Sequence, residues 1–364
     1  MKNQTQHDPH AARRTRRAPA ILAAASLALS TAFTAMATRD VFAAPMSERV
    51  DEDRCEATAA VLFRACRLEI RDDAAKALAN CINISDSTER AGCLTEAKAA
   101  RAEHEQLCVG QRDARRAACK ALNEDRYDPD FSPGLFDDPK NPSNPNPYFP
   151  LKVGSKWEYR DNTTEHVNFE VTPRTKSIEG VTCIAIVDRV TQDGLLHEDT
   201  EDWFAAAKDG SVWYFGEEVK NYESFDNDKP KTPELVSIDG SFKVGRDRAK
   251  PGIIFQGSPR PGQIYREEFS LGNAEDLAEV LTTTYSFGKD AELDKFVPPA
   301  LARLFCSDDC VVTRNTNLTE PGAVTLKYYG RGIGSILEVK PDTGVASRLV
   351  GCNFDSRCSQ LGKP

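Results

Sequence analysis

Residues 81–93 read CINISDSTERAGC: a cysteine, a polar turn-forming cluster and a second cysteine. Within it, Asn83-Ile84-Ser85-Asp86-Ser87-Thr88-Glu89 offers Ser85 and Asp86 as helix N-caps, because a short side-chain oxygen there can accept from the orphan N–H groups of a first turn. Outward on both sides, from Glu48 to Glu124, the chain is rich in Ala, Arg, Glu and Leu and contains no proline, which is a helical composition. The cysteines of this region, Cys55, Cys66, Cys81, Cys93, Cys108 and Cys119, are spaced 11, 15, 12, 15 and 11 residues apart, a pattern symmetric about residue 87. At 3.6 residues per turn, steps of 11 and 15 are close to whole turns, so three cysteines line one stripe of each of two helices.

If the helices run antiparallel about that turn, position n faces position 174 − n and every cysteine finds a partner: Cys55 with Cys119, Cys66 with Cys108 and Cys81 with Cys93. Two thin Ala-lined helices bury too little apolar surface to hold together unaided. Cross-links closing loops of this kind each add roughly 2–4 kcal/mol. The arrangement is similar to the paired-cysteine helical hairpins of the twin C-x9-C family, from which only the hairpin idea carries over. Zinc is the competing account, but its ligands sit two to five residues apart, and these cysteines are at least 11 apart with only His104 nearby.

Residues 125–147 are dense in Pro, Asn and Asp and read as a linker. Beyond it, in 148–351, short alternating runs of aromatic and β-branched residues bounded by Gly, Asp and Asn read as a dozen strands. Turns at Gln192-Asp193-Gly194, Lys208-Asp209-Gly210 and Pro341-Asp342-Thr343-Gly344 join antiparallel neighbours. A helical insertion at 289–309 places Leu293, Phe296, Val297, Leu301 and Leu304 on one apolar face, broken at Pro298-Pro299. The expected fold is α+β: a disulfide-laddered antiparallel hairpin over 48–124, then a large antiparallel sheet curled into a barrel or half-barrel.

Asn146-Pro147-Tyr148-Phe149-Pro150-Leu151 with Gly154, Trp157 and Tyr159, then Asp209-Gly210-x-Val212-Trp213-Tyr214-Phe215-Gly216-Glu217, resembles a set of secreted bacterial β-domain proteins without an assigned function. Lys327-Tyr328-Tyr329 with Gly332-Ile333-Gly334 and Leu337-Glu338 is similar to the closing hairpin of that set. The resemblance spans 146–350, excludes the hairpin and the insertion, and implies a fold and no chemistry.

Residues 1–37 have the layout of a secretory signal peptide, with Arg13, Arg14, Arg16 and Arg17 ahead of an uncharged run from Ala18 to Phe33. Cleavage is expected between 37 and 44. Ala18, Pro19 and Ala20 fit a Tat signal poorly, so Sec export to a periplasm or the cell exterior is the expectation, with no membrane span in the mature chain. The chain carries a net charge of −9. Residues 1–37 hold five basic residues and one acidic one, which leaves −13 after cleavage and argues against nucleic-acid partners.

Cys306 with Cys310 and Cys352 with Cys358 read as two local disulfides, the second pinning the tail 352–364, with a four-cysteine zinc site as the alternative. Cys183, in an apolar strand, reads as a buried free thiol. The most suggestive polar cluster runs from His197 to Asp202. Strand alternation puts His197, Asp199 and Glu201 on one face as candidate metal ligands, and Glu198 and Asp202 on the other. Glu198, Asp199, Glu201, Asp202 and Glu217 are the candidate catalytic carboxylates, while a solvated strand is the plainer account. No G-x-S-x-G, H-E-x-x-H or P-loop is present, and no cofactor is expected. The favoured expectation is a non-catalytic exported protein whose β domain binds a small ligand or cell-envelope component, with the hairpin as spacer or docking arm for a protein partner. The alternatives are a secreted hydrolase or a divalent-cation-binding protein using 197–202.

Overall fold

A computed structural model of the protein describes residues 53–361. The expected signal segment, its cleavage region and the last three residues of the tail lie outside the described residues. Helix α1 (Arg54–Ile82) and helix α2 (Ser87–Leu122) form the antiparallel hairpin. Asp53 and Asp86 cap their N-termini, Asp86 Oδ1 accepting from the N–H groups of Thr88 at 2.9 Å and Glu89 at 2.8 Å. Disulfides join Cys55 to Cys119, Cys66 to Cys108 and Cys81 to Cys93, with Cα separations of 5.8, 5.8 and 5.5 Å. Two further bridges, Cys306–Cys310 and Cys352–Cys358, pin the helical insertion and the tail. Five disulfides fit an oxidising compartment. No helix among the described residues is long and apolar enough to cross a membrane.

Beyond the hairpin, the strands of the described residues form one antiparallel sheet. Its strands are β1 (Lys156–Arg160), β2 (Glu165–Ile178), β3 (Val181–Gln192), β4 (Leu195–Ala206), β5 (Val212–Glu223), β6 (Glu234–Ser237), β7 (Phe242–Lys243), β8 (Gly252–Phe255), β9 (Ile264–Arg266), β10 (Asp276–Tyr285), β11 (Cys310–Asn317), β12 (Val324–Gly330), β13 (Gly334–Val339) and β14 (Ala346–Cys352). The order is β6-β5-β4-β3-β2-β1-β14-β13-β12-β11-β10-β9, with β7 and β8 also paired to β5. The sheet is not closed. It curls, because β8 hydrogen-bonds to β5 and packs beside β9 from the far edge. Gly252 permits that approach, since a Cβ there would lie 2.0 Å from the Glu267 carbonyl oxygen. The short strands β7 and β8 lie within 239–262, where Gly and Pro interrupt any alternating run of sequence.

Three segments cover the convex side. Helices α3 (Ala291–Asp294) and α4 (Pro299–Phe305), separated by Pro298, pack against Tyr285 and Tyr328, whose hydroxyls bond Asp294 at 2.7 Å and the Leu293 carbonyl at 2.8 Å. The segment 125–147 lacks strands and long helices, yet it is held to the sheet and does not cross open solvent: Phe131 and Phe136 pack edge-on against Phe215 in a core with Cys183, Ala185 and Trp203. The base of α2 sits on β9 and β10, where Ala118 meets Leu277 and Leu318. There Arg115 forms a buried ion pair with Glu275 at 2.7 Å, and Arg266 pairs with Glu124 at 2.5 Å. Gly110 gives Pro321 room, as a Cβ would meet its ring at 2.8 Å. Further out, Val61, Leu68, Leu78, Ile82 and Leu94 stay exposed.

Candidate functional site

Side chains alternate across a strand, so one face of the curled sheet points into the trough. On strand after strand the inward positions change from apolar to polar towards the same end. Along β3 they are Ile184, Ile186 and Asp188, and along β4, antiparallel to it, Phe204, Asp202, Thr200 and Glu198. On β5 they are Val212, Tyr214 and, past a register shift, Glu217. On the other wall Tyr329 gives way to Lys327 on β12, with Glu338 of β13 opposite Lys327, and Ala278 gives way to Asp276 on β10. Trp157, Ile186 and Phe204 belong to the apolar floor; above it runs a polar belt.

The belt is acidic. Asp202 lies opposite Glu217, and the Tyr214 hydroxyl donates to Asp202 Oδ1. Burial pushes Asp202 up to about 7, while the Tyr214 hydrogen bond pulls the other way. Burial, and then the neighbouring Asp202, raise Glu217 and Asp188 well above the usual carboxylate range. After β9, the N–H groups of Glu267 and Glu268 both reach the Asp276 carbonyl, at 2.8 and 3.3 Å, a β-bulge that brings two successive carboxylates to the trough. Burial lifts Glu267 to about 7 and Asp276 to about 6, each held back by Lys327. Burial also raises Glu268, with Asp276 adding to it. Lys327, whose burial opposes its charge, is raised because Glu338, Tyr329, Glu267 and Asp276 outweigh that cost. Its ammonium lies 3.9 Å from Glu338.

Three belt oxygens are sealed from solvent without a hydrogen-bond donor: Asp188 Oδ1, Glu267 Oε1 and Asp276 Oδ1. Glu267 is only 3% exposed, and its other oxygen accepts from Asn315 at 2.6 Å. Asp188, Glu217, Glu268 and Asp276 keep part of their surface open while protein crowds their other sides, as expected for a concave wall.

The sequence candidates are divided between the two faces. Glu198, Asp202 and Glu217 lie in the trough. His197, Asp199 and Glu201 lie on the convex face: His197 is exposed, Asp199 pairs with Arg189 at 3.0 Å, and Glu201 pairs with Arg174 at 2.6 Å and accepts from Trp203 Nε1 at 3.0 Å. No group of three His, Cys, Asp or Glu among the described residues is placed to hold a metal ion. The cysteines that a zinc site would need, Cys306, Cys310, Cys352 and Cys358, are bridged in pairs. Cys183 is a buried thiol raised by burial, behind Trp203. Trp157 is part of the floor, its Nε1 donating to the Ile333 carbonyl at 2.6 Å, whereas Trp203 and Trp213 lie on the convex side. Asp188, Glu267, Glu268, Asp276 and Lys327 are not separable in the sequence from ordinary surface charges; the signal is a shared inward parity on strands whose register must be known.

The motif segments around Asn146, Gly210 and Gly332 meet one another. Asn146 Nδ2 donates to the Gly210 carbonyl at 2.7 Å, and the Gly332 N–H to the Pro147 carbonyl at 2.7 Å. Their work is to join linker, β5 and β13. A cavity of about 250 Å³ opens beside them, lined by Asn144, Phe149, Leu151 and Val212 among others, and one of about 190 Å³ lies between hairpin and sheet around Arg54, Tyr127 and Phe269. Neither contains the belt carboxylates. Compared with protein-family models, with curated proteins and with solved structures, the chain gives no match.

Proposed function

We propose that the protein is an exported binding protein, not an enzyme, whose trough captures a ligand while the stapled hairpin serves as a docking arm of fixed orientation. The observation that carries the reading is the set of inward carboxylate oxygens left without donors beside an apolar floor. An interior that had only to be stable would fill such a belt with paired or apolar groups, because each unsatisfied buried acceptor costs about 1–3 kcal/mol. The arm is supported by the Arg115–Glu275 and Arg266–Glu124 pairs, which fix the base of α2 to the sheet and leave the distal turns uncovered. The five disulfides support export. The likeness of 146–350 to secreted bacterial β-domain proteins accords with both.

The full chain, expressed for export and purified without denaturant, tests the reading by native mass spectrometry. A small molecule that stays bound natively and is released on unfolding supports it. A bare chain that retains nothing from a cell-envelope extract refutes it. A hydrolase reading draws on one observation, the facing Asp202 and Glu217 with raised proton affinity around Tyr214. Turnover of a glycoside or ester panel that disappears in Asp202→Asn would favour it.

A further inference from the structure

The geometry points to a binding site for a small amphipathic anion in the cavity of about 250 Å³ where the segment 140–152 meets β4 and β5. This goes beyond the trough reading and does not depend on it. Ala206 and Val212, paired across β4 and β5, continue the inward rows past Phe204 and Tyr214, away from the polar belt. With Phe149 and Leu151 they give the cavity an apolar wall. Among the described residues no Asp or Glu lines it, although the chain carries a net charge of −9, whereas Lys140 and Lys152 do. Neither ammonium has an ion-pair partner among the described residues. The nearby carboxylates are engaged elsewhere: Asp138 Oδ1 by the Lys140 N–H at 3.0 Å, and Asp137 Oδ2 by the Ser143 N–H at 2.8 Å.

Ser211 points the same way independently of the lysines. It lines the cavity and is only 3% exposed. Its N–H donates to Asp209 Oδ1 at 2.8 Å, and its Oγ accepts from the Gly257 N–H at 3.2 Å. The hydroxyl proton has no acceptor among the described residues, and buried donors are ordinarily satisfied. Asn146, in the same wall, is the contrast. Its Nδ2 donates to the carbonyls of Gly210 at 2.7 Å and Gln256 at 3.1 Å, and its Oδ1 accepts from the N–H groups of Tyr148 and Phe149 at 2.8 and 3.1 Å, so it holds the wall in shape and has nothing left for a ligand. The cavity is thus short of an acceptor and of negative charge, beside an apolar surface. An apolar cavity of about 150 Å³ takes up a benzene ring. The larger volume here leaves room for a ring on a short chain that ends in a carboxylate, which supplies the missing acceptor.

The probe is phenylpropanoate, titrated into the disulfide-intact full chain at neutral pH and low salt and followed by ligand-observed NMR. Phenylpropanol keeps the ring and loses the charge, acetate keeps the charge and loses the ring, and both serve as comparison ligands. Saturable binding with a Kd below about 1 mM is expected, with each comparison ligand weaker by about tenfold or more. Lys140→Met and Lys152→Met should each weaken it about threefold to fivefold, the effect of an ion pair at an exposed site, and the double variant about tenfold. Lys98→Met, the same change on an exposed position of α2, should leave it within about 1.5-fold. The comparison ligands alter no residue, so they decide even if a variant folds poorly. No saturable binding, equal binding of phenylpropanol, or a double variant that binds as tightly as the parent overturns the inference. Such a failure leaves the trough reading standing, and the envelope-extract experiment bears on the trough alone, because a ligand held this weakly is lost on purification.

Discussion

Glu267→Gln should make the protein more stable at pH 8 and leave it nearly unchanged at pH 4. Burial holds Glu267 up to about 7 from an ordinary 4.5. Between those values the folded state binds a proton that the unfolded state has released, so folding stability falls as pH rises through that window and the loss is complete above about 7. At about 1.4 kcal/mol per pH unit the loss amounts to about 3 kcal/mol. Glutamine keeps the acceptor for Asn315 Nδ2 and places an NH₂ where Oε1 has no donor, and it does not ionise. The variant therefore avoids the loss and should exceed the parent by up to about 3 kcal/mol at pH 8. Urea unfolding at pH 4, 6, 7 and 8 and constant ionic strength, followed by tryptophan fluorescence, measures it. A parent midpoint that stays flat or climbs from pH 5 to 8, or a variant weaker than the parent at every pH, would refute the account of the belt as buried and uncompensated.

Glu275→Gln leaves Arg115 buried and unpaired at the base of the hairpin, where the partners are 6% and 1% exposed, and should cost about 3–5 kcal/mol. The double replacement of Arg115 and Glu275 by Met should recover most of this in the same urea assay. Removing the Cys81–Cys93 bridge as a Ser pair, with a sequence separation of 12, should cost about 3 kcal/mol, and removing Cys55–Cys119, with a separation of 64, about 4 kcal/mol. Hydrogen exchange should localise the first loss to the turn at 83–86 and leave the β domain protected; uniform loosening would contradict an arm fixed only at its base. The Cys183 thiol should stay unreactive to a disulfide reagent until the protein unfolds, because burial holds it protonated, and rapid labelling of the native chain would contradict its placement behind Trp203.

The hairpin was legible from spacing because an α-helix converts sequence distance into position at a constant rate per residue. Cysteine steps of 11, 15 and 12 about residue 87 therefore determined which sulfurs meet before any tertiary contact was known. Alternation likewise separated His197, Asp199 and Glu201 from Glu198 and Asp202, since parity within one strand is local. Which parity faces the trough is not local. It depends on which side the linker, the hairpin and α3–α4 cover, and these contacts join residues more than a hundred positions apart, as Arg115 and Glu275 are. Packing of Phe131 and Phe136 on the convex face turned Asp199 and Glu201 outward and left Asp188 and Asp202 inside. The curl that brings Glu217 within electrostatic reach of Asp276 depends on β8 and on the close approach at Gly252, both in sequence with no strand pattern of its own. The sequence by itself thus determined the disulfide ladder, twelve of the fourteen antiparallel strands and the two faces of β4. Only the tertiary structure decided which face holds the uncompensated charge, because that choice is made by burial summed over the whole sheet.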